Sequence, residues 1–124
     1  MILLEQKFLF EGERRLLNII WDHEPLLSGD LVRLCFKELG WKKSTTYTML
    51  KRLAEKGFLV NENSVVRSLV SRQEAQSAES EYVVSQAFSG SLPGFLVSFL
   101  GNRKISDQEA EELKRLIDAH REHS

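Results

Sequence analysis

The chain has few of the residues from which small catalytic and metal centres are built. Its 124 residues include one cysteine, Cys35, which excludes an internal disulfide and any site that needs several thiolates. The histidines His23, His120 and His123 have no acidic or thiolate partners at metal-ligand spacing, so the last two would bind a metal only adventitiously. The segment Ser89–Gly94 lacks the Gly-x-Ser-x-Gly order of a nucleophile elbow. We therefore expect no enzyme, no cofactor and no resident metal.

Long apolar runs and an excess of one charge are also missing. No run approaches the roughly 20 apolar residues that span a bilayer, and the opening Met1–Leu4 is too short for a signal peptide. A lone reduced thiol in such a chain is typical of a cytoplasmic protein. The net charge of −1, from 17 Lys and Arg and 18 Asp and Glu, argues against a protein that coats nucleic acid or membranes by bulk charge.

The charge is uneven along the chain. Residues 1–40, 73–103 and 104–124 each carry a net charge of −2, whereas residues 41–72 carry seven cations against two glutamates, a net charge of +5. Chance clustering on a solvated face and a surface for an anionic partner both explain this basic block. Its cations are Lys42, Lys43, Lys51, Arg52, Lys56, Arg67 and Arg72.

Hydrophobic periodicity predicts three helices and a β-hairpin around the basic block. The first helix carries an apolar stripe over residues 16–21, and the second is expected to be N-capped by Ser28 and to end at Gly40. The third runs from about Ser44 to Lys56, with Thr46 on its core side. Two strand candidates follow at residues 58–60 and 65–70, joined by a turn over 61–64. This order predicts a winged helix-turn-helix domain over residues 1–72.

Residues 73–124 are expected to form a helical dimerisation domain, which makes the whole chain a mainly α protein. A capping box, Ser71–Glu74, begins a polar helix whose residues 73–81 would be an arm, and two more helices follow the break at residues 90–94. The apolar residues are numerous for three short helices, so a second subunit is expected to cover them, with an intramolecular core as the alternative. The predicted dimer residues are Phe88, Leu92, Phe95, Leu96, Phe99, Leu100, Leu113, Leu116 and Ile117.

The basic block falls on the third helix and the wing, the elements that contact DNA in a winged helix. The early helix residues 44–48 would reach base edges, and Lys42 and Lys43, ahead of the helix, would bind phosphates. Arg67 on the wing would reach the backbone or the minor groove. Arg52 fits a bidentate contact to guanine, with a phosphate or intramolecular contact as the alternative. The candidate DNA-binding residues are Lys42, Lys43, Ser44, Thr45, Tyr47, Thr48, Lys51, Arg52 and Arg67.

The sequence resembles the penicillinase repressor family of bacteria, the BlaI/MecI type with copper-responsive CopY repressors as relatives. The marks of this resemblance are Leu17–Trp21, Trp41, Ser44–Leu53, Glu55–Leu59, Phe88–Ser91 and Ile105–Leu113. The resemblance implies a homodimer that represses transcription from inverted-repeat operators in double-stranded DNA. It also matches Thr45, Tyr47, Thr48 and Arg52 to DNA-facing positions, and it implies a membrane metallopeptidase sensor or its protease pathway as a partner.

Three departures separate the chain from relatives of that family. The wing ends in Arg67–Val70 where relatives commonly have a Tyr-rich strand. The pair Ser98-Phe99 stands where the β-lactam repressors are cleaved at an Asn-Phe bond. The chain ends in Ala119–Ser124 without the cysteine cluster of the copper-responsive relatives, which excludes copper sensing by that route. The strongest alternative function is a winged helix used for protein–protein contact, which would have no need of the basic block.

Overall fold

The computed structural model describes residues 8–122, and over these residues the mainly α winged-helix fold is confirmed. The expectation for Met1–Leu4 and the one for His123 fall outside the described residues. The elements are α1 (Glu11–His23), β1 (Leu26–Leu27), α2 (Ser28–Leu39), α3 (Lys43–Glu55), β2 (Leu59–Glu62), β3 (Val65–Ser68), α4 (Arg72–Ala87), α5 (Leu92–Leu100) and α6 (Asp107–Ala119).

The first three helices pack around a core that each of them supplies through one apolar face. The side chains of Leu16 and Ile20 on α1, Leu31 on α2 and Leu53 on α3 are fully buried, as the helical spacing of apolar residues predicts. Cys35 is also fully buried in this core, which confirms its interpretation as a small core residue. Burial raises the pKa of the Cys35 thiol, so the thiol is held protonated.

The wing belongs to a three-stranded antiparallel sheet in the order β1-β3-β2. Residue Asn61 pairs with Val66 and Glu62 with Val65, so the predicted four-residue turn shortens to Asn63 and Ser64. Both turn residues have positive φ, 52° and 64°, which is the conformation of a two-residue hairpin turn. The strand β1, which the sequence analysis did not predict, pairs Leu26 and Leu27 with the other edge of β3.

The strand β1 also corrects the predicted start of α2. The residue at the N-cap is Leu27, and Ser28 is the first helical residue, with no side-chain cap present. The Ser28 amide donates to the carbonyl of Ser64 at 2.8 Å, which extends the pairing with the wing, and the Ser28 side chain is buried. Ser28 therefore joins α2 to the wing and does not cap the helix.

The helix α4 begins at the predicted capping box and packs on the winged-helix unit. Ser71 accepts a hydrogen bond from the Glu74 amide, and the Glu74 side chain accepts one from the Ser71 amide, so both halves of the capping box are formed. Ala75 is buried, so the polar stretch over residues 73–81 that the sequence predicts as an arm packs on the winged-helix unit as a helix. One compact unit consequently runs to Gly90 and a second begins at Ser91, whereas the sequence analysis divided the chain after residue 72.

The second unit contains α5 and α6. Ser91 caps α5 by accepting from the Gly94 amide, and Ser106 caps α6 by accepting from the Glu109 amide. Neither helix has a buried residue. Within residues 8–122, no single helix has both the length and the apolar composition to cross a membrane, although α4 and α5 taken together as a bent pair meet that test by length and composition alone.

Candidate nucleic-acid interface

The helix α3 has one face in the core and a broad polar face in solvent. Thr46, Leu50 and Leu53 are buried, which confirms the core-side interpretation of Thr46. The Thr46 hydroxyl donates back to the Lys42 carbonyl at 3.4 Å, so this polar side chain is satisfied within its own helix. The exposed residues of the helix include Lys43, Ser44, Thr45, Tyr47, Thr48, Lys51 and Arg52.

The two lysines at the start of α3 differ slightly from their predicted placement. Lys42 is the N-cap, and Lys43 is the first helical residue and does not precede the helix. Both are exposed. A cation beside a helix N-terminus is not stabilised by the helix dipole, since that end already carries partial positive charge. The same concentration of positive charge and free amides is favourable for a phosphate.

Tertiary ion pairs remove two of the seven cations from the basic block. The Lys56 ammonium lies 2.7 Å from a carboxylate oxygen of the buried Glu13, and the Lys56 side chain is only 18% exposed. The Arg72 guanidinium pairs with Asp22 at 2.9 Å and lies over the Trp21 ring at 5.3 Å from its centroid. The five others form no ion pair with any residue in the described part of the chain; they are Lys42, Lys43, Lys51, Arg52 and Arg67.

Tyr47 has a structural contact as well as an exposed ring. Its hydroxyl donates to the Ser28 hydroxyl at 3.2 Å, which links α3 to the first residue of α2. The residue is 36% exposed, so the edge of its ring is still available on the polar face. The sequence analysis did not anticipate this contact, because Ser28 was predicted to cap its own helix.

The wing presents Arg67 by strand alternation. Val66 is buried and its neighbour Arg67 is exposed, as expected for a strand with one face on the core. Arg67 pairs with Val60 across the hairpin. The end of β3 is held by Glu24, whose carboxylate accepts from the Ser68 amide at 2.8 Å and from the Ser68 hydroxyl at 2.7 and 2.8 Å. Glu24 thus fixes the wing to the end of α1, and no local sequence pattern predicts this contact over 44 positions.

The second unit carries the apolar face on which the predicted dimer residues lie. Leu92, Phe99, Leu116 and Ile117 are each more than half exposed. Leu92, Leu116 and Ile117 also line an open apolar groove together with His120 and Arg121. Phe95 stacks on Phe99 with 5.8 Å between ring centroids. Phe95, Leu96 and Leu100 are half-buried, Leu113 is 38% exposed, and Phe88, also half-buried, lies at the end of the first unit.

The remaining polar candidates have structural positions. Ser91 is a helix cap, and the described residues contain no group of three or more His, Cys, Asp or Glu side chains that could hold a metal ion. The His120 ring contacts the Leu116 carbonyl at 2.9 Å. Ser98 and Phe99 lie within α5, where both side chains are exposed.

Comparison with known proteins supports the interpretation of this chain as a DNA-binding protein. A family model described as "Penicillinase repressor" matches residues 10–119. The chain is 24% identical over 115 residues to the "Penicillinase repressor" of Bacillus licheniformis, with 90% of each protein covered. It is 23% identical over 111 residues to the "Methicillin resistance regulatory protein MecI" of Mammaliicoccus sciuri and of Staphylococcus aureus (strain N315), with 86% of this chain and 90% of each relative covered. The chain therefore belongs to the penicillinase repressor family, whose members are DNA-binding transcriptional repressors.

Proposed function

We propose that this protein represses transcription as a homodimer bound to an inverted-repeat operator in duplex DNA. The observation that carries the proposal is the coincidence of five exposed cations, which form no ion pair within residues 8–122, with the polar face of α3 and the wing. An α-helix fits the major groove of B-DNA, and residues near the start of a recognition helix are the ones that reach base edges. The positive charge on the polar face of α3 and on the wing therefore supports the proposal that duplex DNA binds at this surface.

Each group on this surface has a distinct role in the proposal. Ser44, Thr45 and Thr48 donate to or accept from base edges, since a hydroxyl group serves either type of base atom. The phosphate contacts come from Lys42 and Lys43 at the helix N-terminus, from Lys51 on the outer face and from Arg67 on the wing. Arg52 donates two hydrogen bonds to guanine, and Tyr47 adds the exposed edge of its ring.

The protein–DNA contacts are tested by two substitutions with different expected effects. The operator is first selected from random duplexes with the full-length protein, and binding is then followed by fluorescence anisotropy. Arg52→Ala should weaken binding to the selected duplex by about 1–3 kcal/mol and relax the preference at one base pair. Lys43→Ala should weaken binding to selected and random duplexes alike, because phosphates carry no sequence information.

A matched control separates these effects from a general loss of positive charge. Arg15 on α1 is exposed and pairs with Glu11 at 2.8 Å, outside the proposed surface. Arg15→Ala removes one cation, as the other two changes do, and should leave binding to both duplexes unchanged. If Arg52→Ala and Lys43→Ala bind the selected duplex as tightly as Arg15→Ala does, the assignment of α3 is wrong. In that case a winged helix used for protein contacts becomes the better explanation.

Dimer formation through the second unit is proposed because its apolar groove is exposed among the residues that the structure describes there, 91–122. Contiguous exposed apolar surface is typical of a protein interface. The mass in solution, measured by light scattering at micromolar concentration, should be twice that of the chain. Leu116→Asp should yield a monomer with an unchanged helical content, whereas Glu112→Gln on the same helix should stay dimeric. A monomeric wild-type protein would contradict the proposal.

The inducing partner implied by the family resemblance, a membrane metallopeptidase sensor or its protease pathway, remains a prediction. Its support is the resemblance together with the exposure of Ser98 and Phe99 on α5. A gene for such a sensor beside the gene for this chain would favour proteolytic induction. Intact protein after incubation with that sensor's protease would argue against it.

A further inference from the structure

Four charged side chains hold α4 against α1 in an alternating arrangement, which we call the α1–α4 clamp. Helix α1 contributes Arg14 and Asp22, and α4 contributes Arg72 and Glu79. Arg14 pairs with Glu79 at 2.5 Å, and Arg72 pairs with Asp22 at 2.9 Å. The two ion pairs therefore have opposite polarity, with the cation on α1 in one and on α4 in the other.

The polarity of the two pairs selects one direction and one register for α4. If α4 ran the other way along α1, Arg72 would face Arg14 and Glu79 would face Asp22, so both contacts would be repulsive. A slip of one helical turn would move Glu79 about 5.4 Å away from Arg14. Like-charge contacts of this kind suppress alternative arrangements more than they strengthen the correct one.

Further contacts complete the clamp at each end. The Glu79 carboxylate also accepts from the Leu9 amide at 3.1 Å, and beyond it the Tyr82 ring lies 5.6 Å from that of Phe8. At the other end Arg72 lies over the Trp21 ring. Ala75 is the one buried residue of α4 in the described part of the chain, so the fully buried apolar contribution to this packing is small and the charged groups contribute to fixing the helix.

The chain leaves the winged-helix unit only through α4. Five residues beyond the last clamp contact, α4 ends at Ala87, and Ser89 and Gly90 follow with φ of 50° and 80°. The second compact unit begins directly after them. The direction of α4 on α1 therefore sets the point on the first unit at which the chain leaves each DNA-reading head.

We propose that the α1–α4 clamp determines which spacing between the two half-sites of an operator the protein accepts. This inference rests on the proposed function, since it needs two heads tethered in one dimer. Two heads whose tethers leave from fixed points reach a narrower range of half-site separations and faces of the duplex than two heads whose α4 is loose. A loosened tether lets the heads reach other spacings but loses the benefit of preorganisation at the original one.

The test measures spacing preference with charge-reversal variants of the full chain. The probes are duplexes carrying the two selected half-sites with 0, 2, 5 or 10 base pairs added between them, and a duplex carrying one half-site. Five added base pairs turn the second half-site by about half a helical turn. The wild-type affinity should then fall by about 100-fold, since only one head can bind. For Arg14→Glu and for Glu79→Arg, adding five base pairs should lower the affinity by less than about 10-fold. Both variants should also bind the duplex of original spacing more weakly than wild type does.

Two further variants distinguish the clamp from a change of charge. Arg15→Glu makes the same change as Arg14→Glu on the same helix but outside the clamp, and it should keep the wild-type spacing preference. The double variant R14E/E79R restores an ion pair of reversed polarity and should recover that preference. All variants should fold, because both positions are partly exposed, and Glu79→Gln gives the same comparison if a charge reversal prevents folding.

The outcomes separate the clamp from the proposed function. The inference would be overturned if five added base pairs lowered the affinity equally for wild type, Arg14→Glu and Glu79→Arg. It would also be overturned if Arg15→Glu reduced this loss of affinity as much as Arg14→Glu does. If wild type selects no duplex, the proposed function itself is wrong and the role in spacing falls with it. Amide hydrogen exchange gives a readout without DNA: Arg14→Glu should speed exchange over residues 72–82 and not over α3. Unchanged exchange there would refute the clamp whatever the DNA result.

Discussion

Replacing Lys43 by alanine should reduce the salt dependence of DNA binding, whereas replacing Arg72 should leave it unchanged. Lys43 is exposed at the start of α3 and forms no ion pair with any described residue, while Arg72 is paired with Asp22. Each phosphate contact releases counterions and contributes about −0.9 to the slope of log K against log salt concentration. Loss of Lys43 from both subunits of a dimer should therefore reduce the slope by about 1.8.

The five cations of each subunit that form no ion pair with a described residue also limit the total slope of log K against log salt concentration. Ten such cations in a dimer would give a slope of about −9 if all of them bound phosphates, which is a loss of about 10⁵-fold in affinity between 50 and 200 mM salt. Counting Lys56 and Arg72 as well would predict a steeper slope. The measurement is anisotropy on a random-sequence duplex over that salt range, because non-specific binding is almost wholly electrostatic.

The control and the refuting result follow from the same ion pairs. Arg15→Ala should leave the slope unchanged, since this arginine pairs with Glu11 away from the proposed surface. The reasoning fails if Arg72→Ala lowers the slope as much as Lys43→Ala does. It also fails if Lys43→Ala has the wild-type slope, because the start of α3 would then lie away from the DNA backbone.

Further predictions concern the stability of the winged-helix unit. Lys56→Met leaves the buried carboxylate of Glu13 without its cation and should lower the free energy of unfolding by about 3 kcal/mol. The control Arg15→Ala breaks an exposed ion pair and should lower it by less than about 1 kcal/mol. Both values are measured by urea denaturation. Equal losses would show that the buried pair is not special. Ser71→Ala removes the N-cap of α4 and should cost about 1 kcal/mol in the same assay; an unchanged midpoint would contradict that role. The raised pKa of the Cys35 thiol keeps it protonated, so iodoacetamide at pH 8 should modify it slowly in the native protein and rapidly in urea, with mass spectrometry as the readout. The pKa of the Cys35 thiol is higher in the folded than in the unfolded protein, and the thiol is protonated in both states at neutral pH. It therefore leaves stability unchanged there, and stability falls only as the pH rises above about 8.5, where the unfolded protein releases this proton first.

Local patterns predicted the elements that depend on neighbouring residues. The capping box Ser71–Glu74 is contained within four residues, so its sequence was sufficient to place the start of α4. The core face of α3 followed from the spacing of Thr46, Leu50 and Leu53 in the same way. The two-residue strand β1 was too short for any periodicity to indicate, and it exists because β3 offers an edge for it to pair with.

The ion pairing of individual cations could not be predicted locally. Lys56 and Arg72 belong to the same basic block as Lys43, and nothing in their own segment indicates that they have acidic partners. Their partners, Glu13 and Asp22, are 43 and 50 positions away in the sequence and are brought near only by the packing of α1. The basic block of the sequence holds seven cations, of which five are DNA-binding candidates, and the fold adds that the other two, Lys56 and Arg72, are ion-paired.

The sequence by itself determined the order of the helices and of the β2–β3 hairpin, the helix faces and the position of the basic block, because each of these depends on residues within a few turns of one another. Only the tertiary structure decided which cations of the basic block are ion-paired, where Tyr47 donates its hydrogen bond and how α4 lies on α1. These features depend on ion pairs and hydrogen bonds between distant segments, such as Arg14 with Glu79, 65 positions apart. Such contacts are weak individually and have no sequence period, so they become visible only once the core has fixed the helices around them.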